Sequence, residues 1–316
     1  MIKTTVTNLL NIRYPLFQGG MAWLATYQLA SAVSEAGGLG IIGAGTAPPE
    51  WVQEQIDLIR QKTDKPFGVN VMLLSPQVEG VMEVVLKNRV PVVTTGAGSP
   101  GPWLPRLKEA GSRVFPVVAS VALAVRLARL GVDGLIAEGQ EAGGHIGELS
   151  TMSLVPQIVD AVDLPVLAAG GIADGRGVVA ALALGAQGVQ VGTRFICAEE
   201  CIAHDNYKAA VLKARDRDAV VSGRSTGHPV RCLRNKLWKE FSELEKRSTD
   251  LAELERFGAG KYYAAAIQGD VEGGSILAGE SAGMVSRIQP AGEIVRELFT
   301  HARGHINRLG ELIVND

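Results

Sequence analysis

The segment Glu138 to Gly147 places one imidazole, His145, among Gly139, Gly143, Gly144 and Gly147, directly after the apolar run Val132 to Ala137. Imidazole titrates near neutrality, so His145 can give or take a proton without a large pKa shift. On a glycine-rich loop that follows a strand, it stands where α/β barrels assemble their chemistry. Two further loops carry the same punctuation. Ala168 to Gly175, with Gly170, Gly171 and Asp174, follows Leu164 to Leu167, and Gly192 to Arg194, with Thr193, follows Gly188 to Val191. Without Cβ atoms these loops admit a ligand close to the backbone, and amides at a helix start donate to phosphate oxygens. The competing reading is that the glycines only make tight turns and Asp174 only caps its helix. Recurrence of the pattern in two successive loops favours a phosphate seat. Neither loop is a P-loop, and the spacing does not fit a dinucleotide fingerprint.

Other strand ends supply small or polar groups: Gly19, Gly20 and Met21 after the first, Asn70 within the third, Thr94 and Thr95 after the fourth, Glu138 after the sixth. A flat ring across such a mouth meets backbone atoms, an amide, hydroxyls and a carboxylate, a rim that suits a flavin. Met21 would lie against that ring or serve as ordinary core. Asn70, inside an apolar strand, needs buried hydrogen-bond partners. His228 either lines the entrance or is solvated. His301 and His305, four apart, have the spacing of a metal pair but no acidic or cysteine ligand fixed nearby, so a solvated helix face is expected. His204 has no distinctive context. Cys197, Cys201 and Cys232 lack ligand spacing and a base partner, which argues against a thiol nucleophile, and their odd number argues against a disulfide framework.

The elements that must hold these loops form a repeat. Strands are expected at Leu16 to Gly19, Gly40 to Gly43, Gly68 to Leu73, Val90 to Thr94, Val114 to Val118, Gly134 to Ala137, Val166 to Ala169 and Gly188 to Val191. Helical patterns lie between them, as at Tyr27 to Ala36, Glu50 to Lys62, Val78 to Leu86, Val121 to Leu130, Leu154 to Val162 and Gly177 to Leu184. Short apolar strands separated by helices mean a parallel sheet with covered faces, and eight units favour a closed α/β barrel of (β/α)8 type over an open doubly wound sheet. Residues 1–196 are read as the barrel. Residues 197–283, with helical stretches at Tyr207 to Ala214 and Lys236 to Lys246, are read as a smaller, mostly helical domain inserted after strand eight, beside the mouth. Residues 284–316 include Ala291 to Leu309, the helix expected to return and complete the barrel over the eighth strand.

Composition bounds the partners. In 316 residues, 47% hydrophobic and 20% charged, a large core needs no metal or disulfide. A net charge of -2 from 31 basic and 33 acidic residues, without a basic tract, argues against nucleic acid. Apolar runs are short and interrupted, so no membrane span is expected, and the start lacks a secretory pattern, which suggests a cytoplasmic protein.

In order along the chain, Pro15 to Trp23, Pro66 to Pro76, Thr94 to Gly98, Glu138 to Gly147, Ala168 to Gly175, Gln190 to Phe195 and Gly269 to Gly283 resemble the FMN-dependent enoyl-acyl-carrier-protein reductase II family, within the wider nitronate monooxygenase superfamily. Within the last run, Gly273, Gly274, Ser275, Ala278 and Gly279 resemble the reductase branch. The resemblance implies a TIM-like barrel with noncovalent FMN under a smaller covering domain. It places phosphate contacts at Gly170, Gly171, Gly192 and Thr193, and the flavin near Gly20, Met21, Ala22, Asn70, Glu138, Gly143 and Gln190, with His145 as the family histidine. It further implies a homodimer, NADH or NADPH as electron donor, an acyl-carrier-protein-linked or CoA-linked enoyl thioester as substrate, and a monovalent cation in some members, whose ligands the sequence does not indicate. In the implied reaction, FMN reduced by NAD(P)H passes hydride to the β-carbon of a trans-2-enoyl thioester while a proton reaches the α-carbon. His145 supplies that proton or polarises the thioester carbonyl. The alternative is a nitronate monooxygenase, in which the same histidine takes a proton from a nitroalkane and reduced flavin meets oxygen. A non-catalytic flavin-binding or sensor protein is a third reading.

Overall fold

The computed structural model describes residues 2–312. Its parallel strands are β1 (Leu16–Gln18), β2 (Gly40–Gly43), β3 (Phe67–Met72), β4 (Val92–Gly96), β5 (Arg113–Val118), β6 (Leu135–Glu138), β8 (Val166–Ala169) and β9 (Gly188–Val191). All eight expected strands are present, with ends moved by a residue or two. The sheet runs β1-β9-β8-β6-β5-β4-β3-β2, every pair parallel. A single parallel bridge, Phe17 to Leu39, brings β1 back to β2 and nearly closes the barrel. At that thin seam the buried Gln18 side chain substitutes for ladder bonds, its amide oxygen accepting from Ile41 N at 3.1 Å and its nitrogen donating to Ile41 O at 3.2 Å.

Strand side chains alternate between faces, and here both faces are buried. Phe17, Ile41, Val92, Phe115, Ile136 and Leu167 fill the interior together with Val6, Leu10 and Ile12, from the helix Thr5–Leu10 and the turn after it. Because that helix precedes β1, it plugs the end of the barrel where the strands begin, and the loops that follow the strands gather at the opposite end. Phe17 and Phe115 meet edge to face at 5.3 Å. A hole left here by Phe115→Ala would cost about 3–5 kcal/mol. Outward residues such as Leu16, Ile42, Val69, Val93 and Leu135 pack under the surrounding helices. Helix ends follow local chemistry: Ser120 accepts from Leu123 N to open Val121–Leu130, and Gly131, at φ +85°, closes it in the left-handed conformation.

The segment after β9 corrects the expectation of a mostly helical insertion. It carries the helices Asp205–Lys213, Lys236–Arg247, Leu251–Gly258 and Lys261–Ala266, but also an antiparallel pair, β10 (Ala219–Ser222) and β11 (Val230–Leu233). That pair recruits a third strand from the barrel side, β7 (Gly144–His145), in the order β10-β11-β7. The helix Ala291–Gly310 then returns and packs between Gly175–Ala183 and Tyr27–Glu35, the place of a last barrel helix. No helix among the described residues is long and apolar enough to cross a membrane.

Candidate active site

Two-residue periodicity builds the site. Val92 and Ile136 face the barrel interior, so Thr94 and Glu138, two residues nearer the strand ends, face it one layer higher. Asn70 stands opposite Thr94 in the ladder, and its Nδ2 donates to Thr94 Oγ1 at 2.9 Å, a partner within the chain for the amide that the sequence left unpaired. Gly20 lies flat on Asn70, since a Cβ on Gly20 would fall 2.3 Å from Asn70 Cβ. Gly19 is seated against Gly192 and Gln190, and Gly192 faces the Met21 side chain across otherwise open space. The fold thus gathers Gly20, Met21, Asn70, Thr94, Gln190 and Gly192 from four strand ends.

The loop after β1 is strained. Trp23 has φ +63°, an uncommon conformation for a bulky residue. Edge contacts with Trp51, at 6.1 Å, and Tyr263, at 5.2 Å, hold it. Tyr263 belongs to the helix Lys261–Ala266, so this contact ties the Met21 and Ala22 loop to the inserted segment.

After β8, Gly170 and Gly171 take φ +96° and +75°, a pair of left-handed residues that only glycine adopts cheaply. A Cβ on Gly170 would lie 2.9 Å from Gly139 O, and one on Gly171 would lie 3.4 Å from Glu141 Cβ, so this loop is built against the His145 loop. Asp174 does cap its helix, accepting from Arg176 N at 2.8 Å. After β9, Thr193 opens the short helix Thr193–Ile196, and its hydroxyl accepts from Gly279 N at 2.9 Å. The late glycine run is thereby joined to the loops it follows by nearly ninety positions. Gly143 touches it too, with 2.7 Å from its ideal Cβ to Gly279 N.

His145 is on strand β7, opposite Val230, and Ile146 N donates to Pro229 O at 3.0 Å. The imidazole is reached by solvent yet crowded by the opening around it. Burial lowers its pKa below the ordinary value, and the neighbouring His228 adds to that shift. His228, left open by the sequence, is exposed two residues before Val230, the strand partner of His145. Glu138 is half-buried, and desolvation pushes its carboxyl up to about 7. His204 is a helix cap, its Nδ1 accepting from Asn206 N at 3.1 Å. Among the described residues no group of three or more histidine, cysteine or acidic side chains could hold a metal, which leaves His301 and His305 on a helix face. All three cysteines are buried and free, and burial pushes each thiol up to about 11, unfavourable for a nucleophile.

Four residues without an expected role organise the loops. Glu141 accepts from Thr151 N at 2.9 Å and from the Thr151 hydroxyl at 2.8 Å, capping the helix Thr151–Ala161 from the His145 loop. Arg231 and Glu280 form a 2.9 Å ion pair beside the same loop. Only Glu141 has a local signal, an acid ten residues before a helix start. The others depend on contacts distant in sequence.

Comparison with known proteins gives a consistent picture. The nitronate monooxygenase family model matches residues 3–83 and 75–301. A probable nitronate monooxygenase of Staphylococcus aureus (strain MSSA476) is 34% identical over 343 residues, spanning 94% of this chain and 96% of its own. The structure of FabK from Thermotoga maritima is 46% identical with a TM-score of 0.97, covering 99% of this chain and 100% of that one. The nitroalkane oxidase from Streptomyces ansochromogenes is 30% identical with a TM-score of 0.87, covering 96% and 99%.

Proposed function

The chain belongs to the nitronate monooxygenase family, and from that premise we propose that it is an FMN-dependent enoyl-acyl-carrier-protein reductase of the reductase II branch, converting trans-2-enoyl thioesters to saturated acyl thioesters. The observation that carries this reading is the whole-chain likeness to FabK, an enoyl-acyl-carrier-protein reductase II, which exceeds the likeness to the nitroalkane oxidase in both identity and superposition.

The residues present fit FMN. Left-handed Gly170 and Gly171 turn the loop after β8 with no side chains to cover its backbone, and the space before Gly192 is bounded only by Met21. Glu138 and Gln190 face the mouth without a hydrogen bond from another described side chain, leaving an acid and an amide for a ring edge. The amides of Gly170, Gly171 and Thr193 would hold the phosphate, and Gly20, Met21, Ala22, Asn70 and Gly143 would flank the ring. When bound, FMN supplies the hydride that adds to the β-carbon.

The chain's own part is binding, orientation and one proton. His145 delivers a proton to the α-carbon, so that the C=C π bond is replaced by two C–H bonds, and the imidazole is reprotonated from solvent at the mouth. The inserted segment, residues 197–283, covers the mouth and keeps water from the reacting carbons. NADH or NADPH is the electron donor, the enoyl group arrives on acyl-carrier protein or CoA, and the assembly is a homodimer. Consumption of NADH or NADPH without oxygen that depends on added crotonyl thioester tests this function. The second reading, nitronate oxidation, is favoured by the full-length likeness to the staphylococcal protein. It predicts turnover that needs nitroalkane and oxygen instead.

A further inference from the structure

Arg231 lies on β11 directly opposite Gly144, next to the position that pairs with His145, and only 5% of it is exposed. A guanidinium taken that far out of water must be repaid by good acceptors. Three separate stretches supply them. Nε donates to Gln140 O at 2.9 Å, Nη1 to Ala219 O at 3.4 Å, and Nη2 pairs with Glu280 at 2.9 Å. Gln140 is in the loop that carries His145, Ala219 opens β10, and Glu280 lies in the late glycine run. Glu280 N in turn donates to Glu141 O at 2.9 Å. Among the described residues the loop's local bonds are Ala142 N to Gly139 O, Gln140 N to Leu149 O and the Glu141 cap on Thr151. Contacts from far along the chain complete its shape, and Arg231 joins three of the stretches involved.

We propose that Arg231 is a positioning residue for His145: its planar fork joins the Gln140 carbonyl to the Glu280 carboxylate and fixes the loop that presents the imidazole. The fork matters because a lysine offers one point charge and cannot span the same acceptors. The inference rests on the reading of His145 as the proton donor.

The test uses holoenzyme and follows flavin reduction by NADH and reoxidation by crotonyl thioester as separate anaerobic half-reactions. In Arg231→Met, reoxidation should fall by about 10- to 100-fold, the scale of a misplaced reacting group, while flavin reduction stays within about twofold. Arg231→Lys should recover part of the loss. Glu280→Ala, whose carboxylate is half exposed, should slow the same step to a smaller extent. Independently of activity, amides of residues 139–147 should exchange with deuterium faster in Arg231→Met, while those of Phe67–Met72 keep their wild-type rates. Wild-type reoxidation in Arg231→Met, equal losses in both half-reactions, or unchanged exchange of the loop overturns the proposal. If the wild-type enzyme is itself not reoxidised by thioester, the assigned reaction fails, and the exchange comparison alone decides whether Arg231 fixes the loop. If Arg231→Met does not fold, Glu280→Ala decides by the same two readouts.

Discussion

His145 and Val230 face each other across an antiparallel strand pair, so the loop bearing the imidazole is the edge of a sheet whose other two strands come from the inserted segment. The histidine proposed as proton donor and the inserted segment are thus one structural unit. Replacing His145 by alanine leaves the loops after β1, β8 and β9, proposed to hold the flavin, untouched. FMN should remain bound, and reoxidation of the reduced enzyme by enoyl thioester should slow by about 10²- to 10⁴-fold, the usual loss on removing a general acid. Single-turnover absorbance of the variant checks this, and a wild-type rate would remove His145 from the proton-transfer role.

The pH dependence of that step has a defined sign. Burial, and then His228, hold the His145 pKa below its ordinary 6.5. The acid form donates, so the reoxidation rate should fall as pH rises, with its midpoint below 6.5. The limb should vanish in His145→Gln. A pH-independent rate, or an inflection that survives the substitution, would assign the proton elsewhere.

Glu138 gives the same sign, in stability. Its carboxyl moves from 4.5 to about 7 on folding because it is desolvated. Stability associated with the neutral acid is complete below 4.5 and is lost as pH rises through about 7. For apoprotein at about pH 8, Glu138→Gln should be more stable than wild type, with the difference gone in acid. Urea unfolding at the two pH values measures it, and an equal effect at both would mean that packing, not ionisation, is responsible.

The barrel was legible because its signal is local. Each strand is a short apolar run opened by proline or glycine, and the loops after β6, β8 and β9 place their glycines within a few residues of the strand they follow. The helix Leu104–Glu109 was missed because it is short and has a proline in its first turn. β10 and β11 left only two brief stretches, Ala219 to Val221 and Val230 to Leu233, flanking a turn with Gly223 and Gly227. β7 left no signal at all. Gly144 and His145 have no strand preference, and they are a strand only because β11 pairs with them. The gathering of Gly20 on Asn70, and of Arg231 on Gln140, likewise depends on contacts between residues 50 and 91 positions apart.

The proposed phosphate seat can be tested without turnover. Gly171→Val forces a β-branched residue to φ +75°, which costs on the order of 1–3 kcal/mol and brings its side chain to the Glu141 loop. FMN affinity measured by titrating apoprotein should fall by about tenfold or more. Protein purified without the substitution should be yellow and release FMN, not FAD, on denaturation. Unchanged affinity in the variant would move the phosphate away from this loop.

The substrate class is tested most directly by anaerobic stopped-flow reoxidation. Wild-type enzyme is reduced with one equivalent of NADH and mixed with saturating crotonyl thioester, with nitroalkane, or with air-saturated buffer, while flavin absorbance is followed. Reoxidation by the thioester should be faster than by oxygen, with formation of the saturated thioester, and nitroalkane should be a poor substrate. Flavin that stays reduced in the presence of thioester, together with oxygen-dependent turnover of nitroalkane, would contradict the reductase assignment.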